Sequence, residues 1–298
     1  MREILFSDLP RIVQLARKVL AADSFAGIER LGGLTNHTYH VSLPDGRDYV
    51  IRIPGEGTEE MIVRSDEKKS TALACRLGVD AKMLYFGEDG SKVTEYIPNP
   101  VTMSAELLHD RVRVGKMAEL FRTIHTCAED TGVPFDVFDM AANYERIIRD
   151  QKIALYPDYP SVKDAVIRIK KTVDAACEIS LVPCHNDPLC ENWVESDGRM
   201  YLIDWEYAGM NDGMWDLGDV SIEAGFDGEW DNLLLSAYLG SEPSLDERRH
   251  FLASKIYVDF LWTLWALTRV PYDRDAMQAW ADERYARLKE NIRQFDAL

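Results

Sequence analysis

The chain has 298 residues, a formal net charge of −17, and 46% hydrophobic and 29% charged residues. This length allows one large domain or two lobes, either of which can bury a sizeable core. A protein this acidic repels nucleic acid and anionic membranes, so we expect neither as a partner.

The N-terminal ten residues mix charged with apolar side chains and lack the apolar core of a signal peptide. The longest apolar stretch, residues 260–267, is too short to span a bilayer. The cysteines are odd in number and fit no zinc-binding spacing, which indicates reduced thiols. We therefore expect a cytoplasmic protein.

The first third of the chain has the pattern of a small sheet with helices attached. Helical periodicity predicts helices over residues 9–22 and 59–77. Strands are predicted at residues 28–31, 38–43, 49–53, 83–86 and 91–96, with turn residues between them. The run Ile97-Pro98-Asn99-Pro100 is typical of a linker. We expect an N-terminal lobe at 1–97 and a mostly helical C-terminal lobe at 98–298.

Two glycines lie between the first two predicted strands, in Gly32-Gly33-Leu34-Thr35-Asn36. Glycine lets backbone amides approach phosphate oxygens closely, which makes Gly33 and Asn36 candidate phosphate contacts. A Gly-Gly hairpin turn explains the same residues equally well.

The strongest motif lies after residue 183. It is Cys184-His185-Asn186-Asp187-Pro188-Leu189-Cys190-Glu191-Asn192-Trp193, followed by Leu202-Ile203-Asp204-Trp205-Glu206-Tyr207. Residues 193–195 and 200–203 predict a hairpin around Asp197-Gly198, which would return Asp204 beside Asn192. Phosphoryl transfer from ATP needs an acid that orients the acceptor hydroxyl and oxygen ligands for magnesium.

Asp187 fits the first role, and Asn192 and Asp204 fit the metal role. The alternative is a hairpin whose Asp and Asn side chains only cap turns.

These motifs, together with the run from Ile203 to Gly218, resemble the choline/ethanolamine kinase family, within the aminoglycoside-phosphotransferase and protein-kinase-like group. The bacterial choline kinases are the most similar members. The resemblance implies an α+β, two-lobed protein-kinase-like fold with a small antiparallel-sheet N-terminal lobe. Asp212-Gly213 and Cys190 depart from the usual residues of the family, and neither change removes a proposed catalytic group.

The resemblance also implies roles for the nucleotide-binding half. Arg52 would neutralise ATP phosphates, although it also fits a solvent-facing strand arginine. Glu67 would hold Arg52, with Asp66 and Glu60 as the next choices. By position alone, residues Glu95, Tyr96 and Ile97 would contact adenine.

The helix after Ser244 contains the candidate acceptor pocket, and Ser244-Leu245-Asp246-Glu247 predicts its start as a capping box. Trp262 and Trp265 share a face with Asp259, and two indoles with a carboxylate can hold a quaternary ammonium. The resemblance favours this site, whereas the spacing alone is more typical of core packing. Further candidates are the substrate contacts Glu206 and Tyr207, the supporting residues His185 and Asp216, and the weaker pocket residues Trp230, Trp280 and Tyr285.

The sequence therefore predicts an ATP- and Mg²⁺-dependent kinase of choline or a related small cationic amino-alcohol. Ethanolamine, thiamine and aminoglycosides are alternative acceptors for the same fold. A non-catalytic nucleotide-binding protein is a third hypothesis, which the complete set Asp187, Asn192 and Asp204 disfavours. The sequence leaves the oligomeric state undetermined.

Overall fold

The computed structural model describes residues 4–32, 36–55 and 62–298. The chain forms two compact units. The first comprises Met1–Thr102 and Asn192–Ala208, and the second Met103–Glu191 and Gly209–Leu298. The sequence analysis expected one division after residue 97, with all later residues in the second lobe. The first unit instead extends to Thr102 and also includes the later segment that carries Asn192 and Asp204.

The first unit contains a five-stranded antiparallel sheet in the order β1-β2-β3-β5-β4. The strands are β1 Gly27–Gly32, β2 Asn36–Ser42, β3 Asp48–Pro54, β4 Met83–Phe86 and β5 Lys92–Glu95. All five were predicted from alternating patterns and turn residues, with ends that differ from the observed ones by at most two residues.

Helices flank this sheet. Helix α1, Leu9–Leu15, continues into a π-helical turn, Ala16–Leu20, so the predicted helix over 9–22 is present in two parts. Its buried face packs against the sheet in a core that contains Ile12, Tyr39 and Ile51. Helix α2, Arg64–Leu77, ends at Gly78, which has a φ of 70°. The helix predicted from residue 59 begins at Arg64: residues 62 and 63 are not helical, and residues 59–61 lie outside the described residues.

A three-stranded sheet in the order β6-β8-β9 completes the first unit. Its strands are β6 Val101–Thr102, β8 Trp193–Ser196 and β9 Arg199–Leu202. Asp197 and Gly198 have φ values of 48° and 80°, as a two-residue turn of a β-hairpin requires at both central positions. The Asp-Gly pair therefore fixes the register that brings the end of β9 back to the start of β8.

The second unit is mainly helical. Together with the sheet of the first unit, this confirms the α+β class predicted for the whole chain. Its helices are α3 Ala105–Leu108, α4 Arg111–His125, α5 Val137–Asp150, α6 Tyr159–Ala176, α7 Gly213–Ala224, α8 Gly228–Leu239, α9 Leu245–Arg269 and α10 Arg274–Ala297. Strands β7 Leu181–Cys184 and β10 Gly209–Asp212 pair antiparallel.

Helix α9 begins as predicted, because the Ser244 side chain accepts from the Glu247 amide while the Glu247 side chain accepts from the Ser244 amide. Its buried residues then lie on most sides of the helix, as expected for an element surrounded by α5, α6, α7 and α10. Within the described part of the chain, no helix is both long enough and apolar enough to cross a membrane.

Candidate active site

In the first unit, Arg52 on β3 is buried and lies in a network of charged groups. Its Nη2 atom is 2.5 Å from Glu67 Oε1, and its Nη1 atom donates to Asp204 Oδ1 at 3.2 Å. Nη2 also donates to the Gly90 carbonyl at 2.9 Å. Arg52 is therefore a buried, anchored cation, and the alternative of a solvent-facing strand arginine is excluded.

Helix α2 presents its acids in two different environments. Glu67 is 1% exposed and lies 2.7 Å from Arg64 Nη1 as well as contacting Arg52. Asp66, the neighbouring acid, instead forms a surface ion pair with Lys69 at 2.8 Å. The structure thus places Glu67 as the partner of Arg52, and the other alternative, Glu60, lies outside the described residues.

Asp204 follows β9 with a φ of 70°, a left-handed conformation that few residues other than glycine, Asn and Asp adopt. The amide of Ile203 donates to the Asn192 carbonyl at 2.9 Å, so the hairpin brings these two segments together as predicted. Asp204 and Asn192 supply a carboxylate and an amide oxygen, and oxygen atoms are the ligands that Mg²⁺ prefers. The donor set therefore fits magnesium.

Glu206 lies beside candidate nucleotide-binding residues of the first unit. Its Oε2 atom accepts from Asn36 Nδ2 at 2.9 Å and lies 3.5 Å from Arg64 Nη1. Burial, reinforced by the negative charge of Asp204 and opposed by Arg52, raises the pKa of Glu206 to about 7. This carboxyl can therefore change charge near neutral pH beside the candidate metal ligand.

The predicted adenine-binding strand ends in three residues with different exposure. Glu95 is exposed and pairs with Lys82 at 2.9 Å, whereas Tyr96 and Ile97 are partly buried. The amides of Glu95 and Tyr96 already donate to the carbonyls of Lys82 and Asp48. Adenine recognition here would therefore use carbonyl groups or the Ile97 amide. Gly33, the candidate phosphate contact, lies outside the described residues.

In the second unit, the loop after β7 holds Asp187 by its backbone. His185 is fully buried, and its Nδ1 atom accepts from the Asp187 amide at 3.3 Å. Asn186 has a φ of 66°, and its backbone carbonyl accepts from Trp215 Nε1 at 3.0 Å. Asp187 itself is only partly buried, which is compatible with the role predicted for it.

Asp216 on α7 anchors the same loop through both of its carboxylate oxygens. They accept from the backbone amides of His185 and Asn186 at 2.8 Å and 2.7 Å. His125 Nε2 also donates to Asp216, at 3.1 Å, and its other ring nitrogen contacts Tyr238 Oη at 2.9 Å. The contacts fit the supporting roles predicted for Asp216 and His185, and they add His125, which the sequence analysis missed.

The aromatic residues of α9 lie close together. The ring centroids of Trp262 and Trp265 are 6.2 Å apart at 89°, and Trp280 on α10 lies 5.7 Å from Trp265. Trp262 is 4% exposed, and Trp265 and Trp280 are partly buried. Trp230 instead packs against His109 and Phe226, away from this cluster.

Asp259 has contacts that differ from those expected of a substrate ligand. It is fully buried, and Arg287 donates to its two oxygens at 2.9 Å and 2.8 Å. Arg284 Nη1 lies 3.4 Å from the same carboxylate. With two arginines bound, Asp259 acts as an anchor between α9 and α10.

Other acids next to the tryptophans come from α7. Trp262 Nε1 donates to Asp219 Oδ2 at 3.3 Å, and Glu223, one turn further along α7, pairs with Arg284. The sequence analysis missed both acids. Their spacing of three and seven residues after Asp216 was the available signal, because residues so spaced share one helix face.

Tyr207, the remaining substrate candidate, is partly buried beside Glu206 in the first unit. Its role at the acceptor stays a prediction, as do the individual roles of the other site residues.

Comparison with known proteins places these observations in one family. A family model for choline/ethanolamine kinase matches residues 28–259. A choline/ethanolamine kinase family protein from Mesorhizobium loti superposes with a TM-score of 0.85 and 34% identity, covering 97% of this chain and 95% of that one.

The choline kinase LicA from Streptococcus pneumoniae superposes with a TM-score of 0.80 and 31% identity over 95% of this chain and 99% of the LicA chain. A LicA structure in complex with AMP gives a TM-score of 0.78, with 31% identity over 96% of this chain and 98% of that chain. The predicted protein-kinase-like fold is confirmed by these superpositions. The chain belongs to the choline/ethanolamine kinase family, whose enzymes transfer a phosphoryl group to the alcohol group of an amino-alcohol.

Proposed function

We propose that this protein transfers the γ-phosphoryl group of ATP to the hydroxyl of choline, or of a closely related small amino-alcohol. The observation that carries the choice of acceptor is the cluster of Trp262, Trp265 and Trp280 beside two acids, the buried Asp219 and the partly buried Glu223. Indole faces attract an ammonium group that cannot donate a hydrogen bond, and the acids supply the opposite charge.

In the nucleotide-binding half, Arg52 binds the phosphates and disperses their negative charge. Its position is held by Glu67, so the guanidinium needs no rearrangement when the nucleotide binds. Asp204 and Asn192 would hold Mg²⁺, which supplies charge neutralisation for the transferred group when bound. Glu206 contacts Asn36 and Arg64, so within the first unit it lies beside the groups proposed to bind the nucleotide.

In the acceptor half, Asp187 orients the hydroxyl and accepts its proton as the new P–O bond forms. The Asp187 amide is held by His185, and Asp216 fixes the adjoining backbone amides. Catalysis then follows mainly from positioning and from stabilisation of phosphate charge. Because ATP is the phosphoryl donor, we place this reaction in the cytoplasm.

Ethanolamine is the nearest alternative acceptor, because a primary ammonium satisfies the same acids. Thiamine is a second alternative. Aminoglycosides carry several amines and need several accessible carboxylates, whereas Glu223 and Asp259 are already paired with Arg284 and Arg287. A non-catalytic nucleotide-binding role conflicts with the retention of Asp187.

The test is release of ADP from Mg²⁺-ATP with choline, ethanolamine, thiamine and kanamycin in parallel. We expect the highest kcat/KM with choline. Highest turnover with kanamycin would refute the acceptor assignment, and ATP binding without acceptor-dependent turnover on any of the four would refute the kinase assignment.

A further inference from the structure

A cluster of charged side chains joins α7, α9 and α10 beside the tryptophans; Asp219, Asp259 and Arg284 are buried, and Glu223 and Arg287 are partly buried. It contains three carboxylates, of Asp219, Glu223 and Asp259, and two guanidiniums, of Arg284 and Arg287. Arg287 binds Asp259 through two hydrogen bonds, and Arg284 pairs with Glu223. With every group ionised, the cluster has one negative charge more than positive charges.

Asp219 is the carboxylate of this cluster that forms an ion pair with neither arginine. It is 0% exposed and has no ion pair within 4.0 Å in the part of the chain that the structure describes. Its Oδ2 atom accepts from Trp262 Nε1 at 3.3 Å, while its Oδ1 atom is buried with no hydrogen-bond partner. A buried carboxylate without a cation is strongly unfavourable, so this position calls for a positive charge or a proton.

The surroundings of Asp219 favour the proton when no ligand is bound. Burial raises the pKa of this carboxyl well above its usual value, and the negative charge of Glu223 raises it further. Arg284 and the Trp262 hydrogen bond oppose the shift, whereas the charge of Asp216 adds to it. Asp259 on α9 faces Arg287 and is neutralised by it.

Cys190 is a further neighbour of Asp219 that can titrate. Burial, together with the negative charges of Glu191, Glu223 and Asp219, raises the pKa of its thiol to about 12. The thiol therefore stays neutral at neutral pH.

We propose that Asp219 is the carboxylate that pairs with the ammonium group of the acceptor, and that the bound cation takes the place of the Asp219 proton, which is released to solvent. The proposal rests on the proposed function, and it adds a recognition residue and a coupling of acceptor binding to pH. Trp262 connects the carboxylate to the aromatic cluster, because its indole contacts both Asp219 and Trp265.

The charge of choline is permanent, so a change of its KM with pH must come from protein groups. The KM for choline should fall as pH rises, by up to about tenfold per pH unit while Asp219 is protonated in the free protein. The neutral isostere 3,3-dimethylbutan-1-ol, in which carbon replaces the ammonium nitrogen, should show no such dependence. The ratio of the two kcat/KM values therefore isolates the charge of the pocket from the pH dependence of Asp187.

The experiment compares wild-type protein with Asp219→Asn and with Asp231→Asn as a matched control. Asp231 is also largely buried, but it is paired with Lys255 at 2.7 Å and belongs to α8. For each protein, kcat/KM is measured with choline and with the isostere between about pH 6 and pH 9.

We expect Asp219→Asn to reduce the preference for choline over the isostere by at least about tenfold and to remove its pH dependence. Asp231→Asn should keep both. An Asp219→Asn enzyme with the wild-type preference, or an equal loss in Asp231→Asn, would overturn the proposal. If Asp219→Asn does not fold, a wild-type preference for choline that is independent of pH would overturn it as well.

Titration of choline by tryptophan fluorescence, without ATP, separates this inference from the proposed function. A wild-type protein that binds choline tighter as pH rises but does not phosphorylate it would retain the Asp219 pairing and refute the kinase assignment. Turnover on choline, with choline binding that is insensitive to pH and to Asp219→Asn, would retain the kinase assignment and refute the Asp219 pairing.

Discussion

The ion pair between Arg52 and Glu67 gives the most direct test of the nucleotide-binding half. In Glu67→Gln the buried carboxylate that contacts Arg52 at 2.5 Å and Arg64 at 2.7 Å loses its charge. Each arginine keeps one other acid, Asp204 at 3.2 Å and Glu206 at 3.5 Å respectively. We expect Arg52 to bind Asp204 more strongly and so to compete with the metal for that carboxylate.

Removal of one partner from a buried ion pair typically costs about 3 to 5 kcal/mol. Because both arginines retain a second acid, we expect a smaller loss of transition-state stabilisation, about 2 kcal/mol, or roughly 30-fold in kcat/KM for ATP. The Mg²⁺ concentration that gives half-maximal rate should rise in the same variant. Initial rates across Mg²⁺ concentrations at fixed ATP measure both effects.

Asp66→Asn is the matched control, since Asp66 precedes Glu67 on the same helix but pairs with Lys69 at the surface. Surface ion pairs contribute about 0 to 1 kcal/mol, so this variant should stay within a fewfold of wild type. A Glu67→Gln enzyme with wild-type kcat/KM and Mg²⁺ requirement would refute the reasoning. Equal losses in the two variants would refute it too.

Three further predictions concern other parts of the molecule. Asp216→Asn presents only one oxygen to two backbone amides, so kcat should fall about tenfold to a hundredfold with little change in the KM for ATP, as steady-state kinetics can measure. Trp265→Ala should raise the KM for choline about tenfold, whereas Trp230→Ala, outside the cluster, should not. Burial raises the pKa of Asp80 to about 6, against the pull of Lys92. An acid with a raised pKa in the folded state stabilises the protein below its unfolded pKa, near pH 4, and loses that contribution as pH rises through about 6. Denaturant unfolding of Asp80→Asn should therefore show up to about 3 kcal/mol more stability than wild type above pH 6 and no difference below pH 4, and equal stability at all pH values would contradict this.

The elements that the sequence predicted well are those with local causes. The turn at Asp197-Gly198 needs two residues with positive φ, and the start of α9 at Ser244 needs only the next three residues. The catalytic hairpin was predictable for the same reason, because one turn fixes where Asp204 returns. Strand ends and the π-helical turn at Ala16–Leu20 depend on packing, so their limits were less accurate.

The parts that could not be predicted depend on partners distant in sequence. Helical spacing places Asp259 on the same side as Trp262, but it cannot reveal that Arg284 and Arg287, more than twenty residues later, bind that carboxylate. The same missing information concealed Asp219, which forms no ion pair within the part of the chain that the structure describes. Spacing alone also does not show the contact of Glu206 with Asn36, and the role of Glu206 at the acceptor stays a prediction.

The central claim is that Asp187 directs phosphoryl transfer from ATP to the hydroxyl of a small amino-alcohol. ³¹P NMR of the reaction with Mg²⁺-ATP and choline follows the new phosphomonoester directly, with Asp187→Asn compared against Glu191→Gln, an exposed acid in the same loop. The account predicts phosphocholine from wild type and Glu191→Gln, and a rate lower by at least about a thousandfold from Asp187→Asn. Phosphocholine formed by Asp187→Asn at the wild-type rate would contradict it.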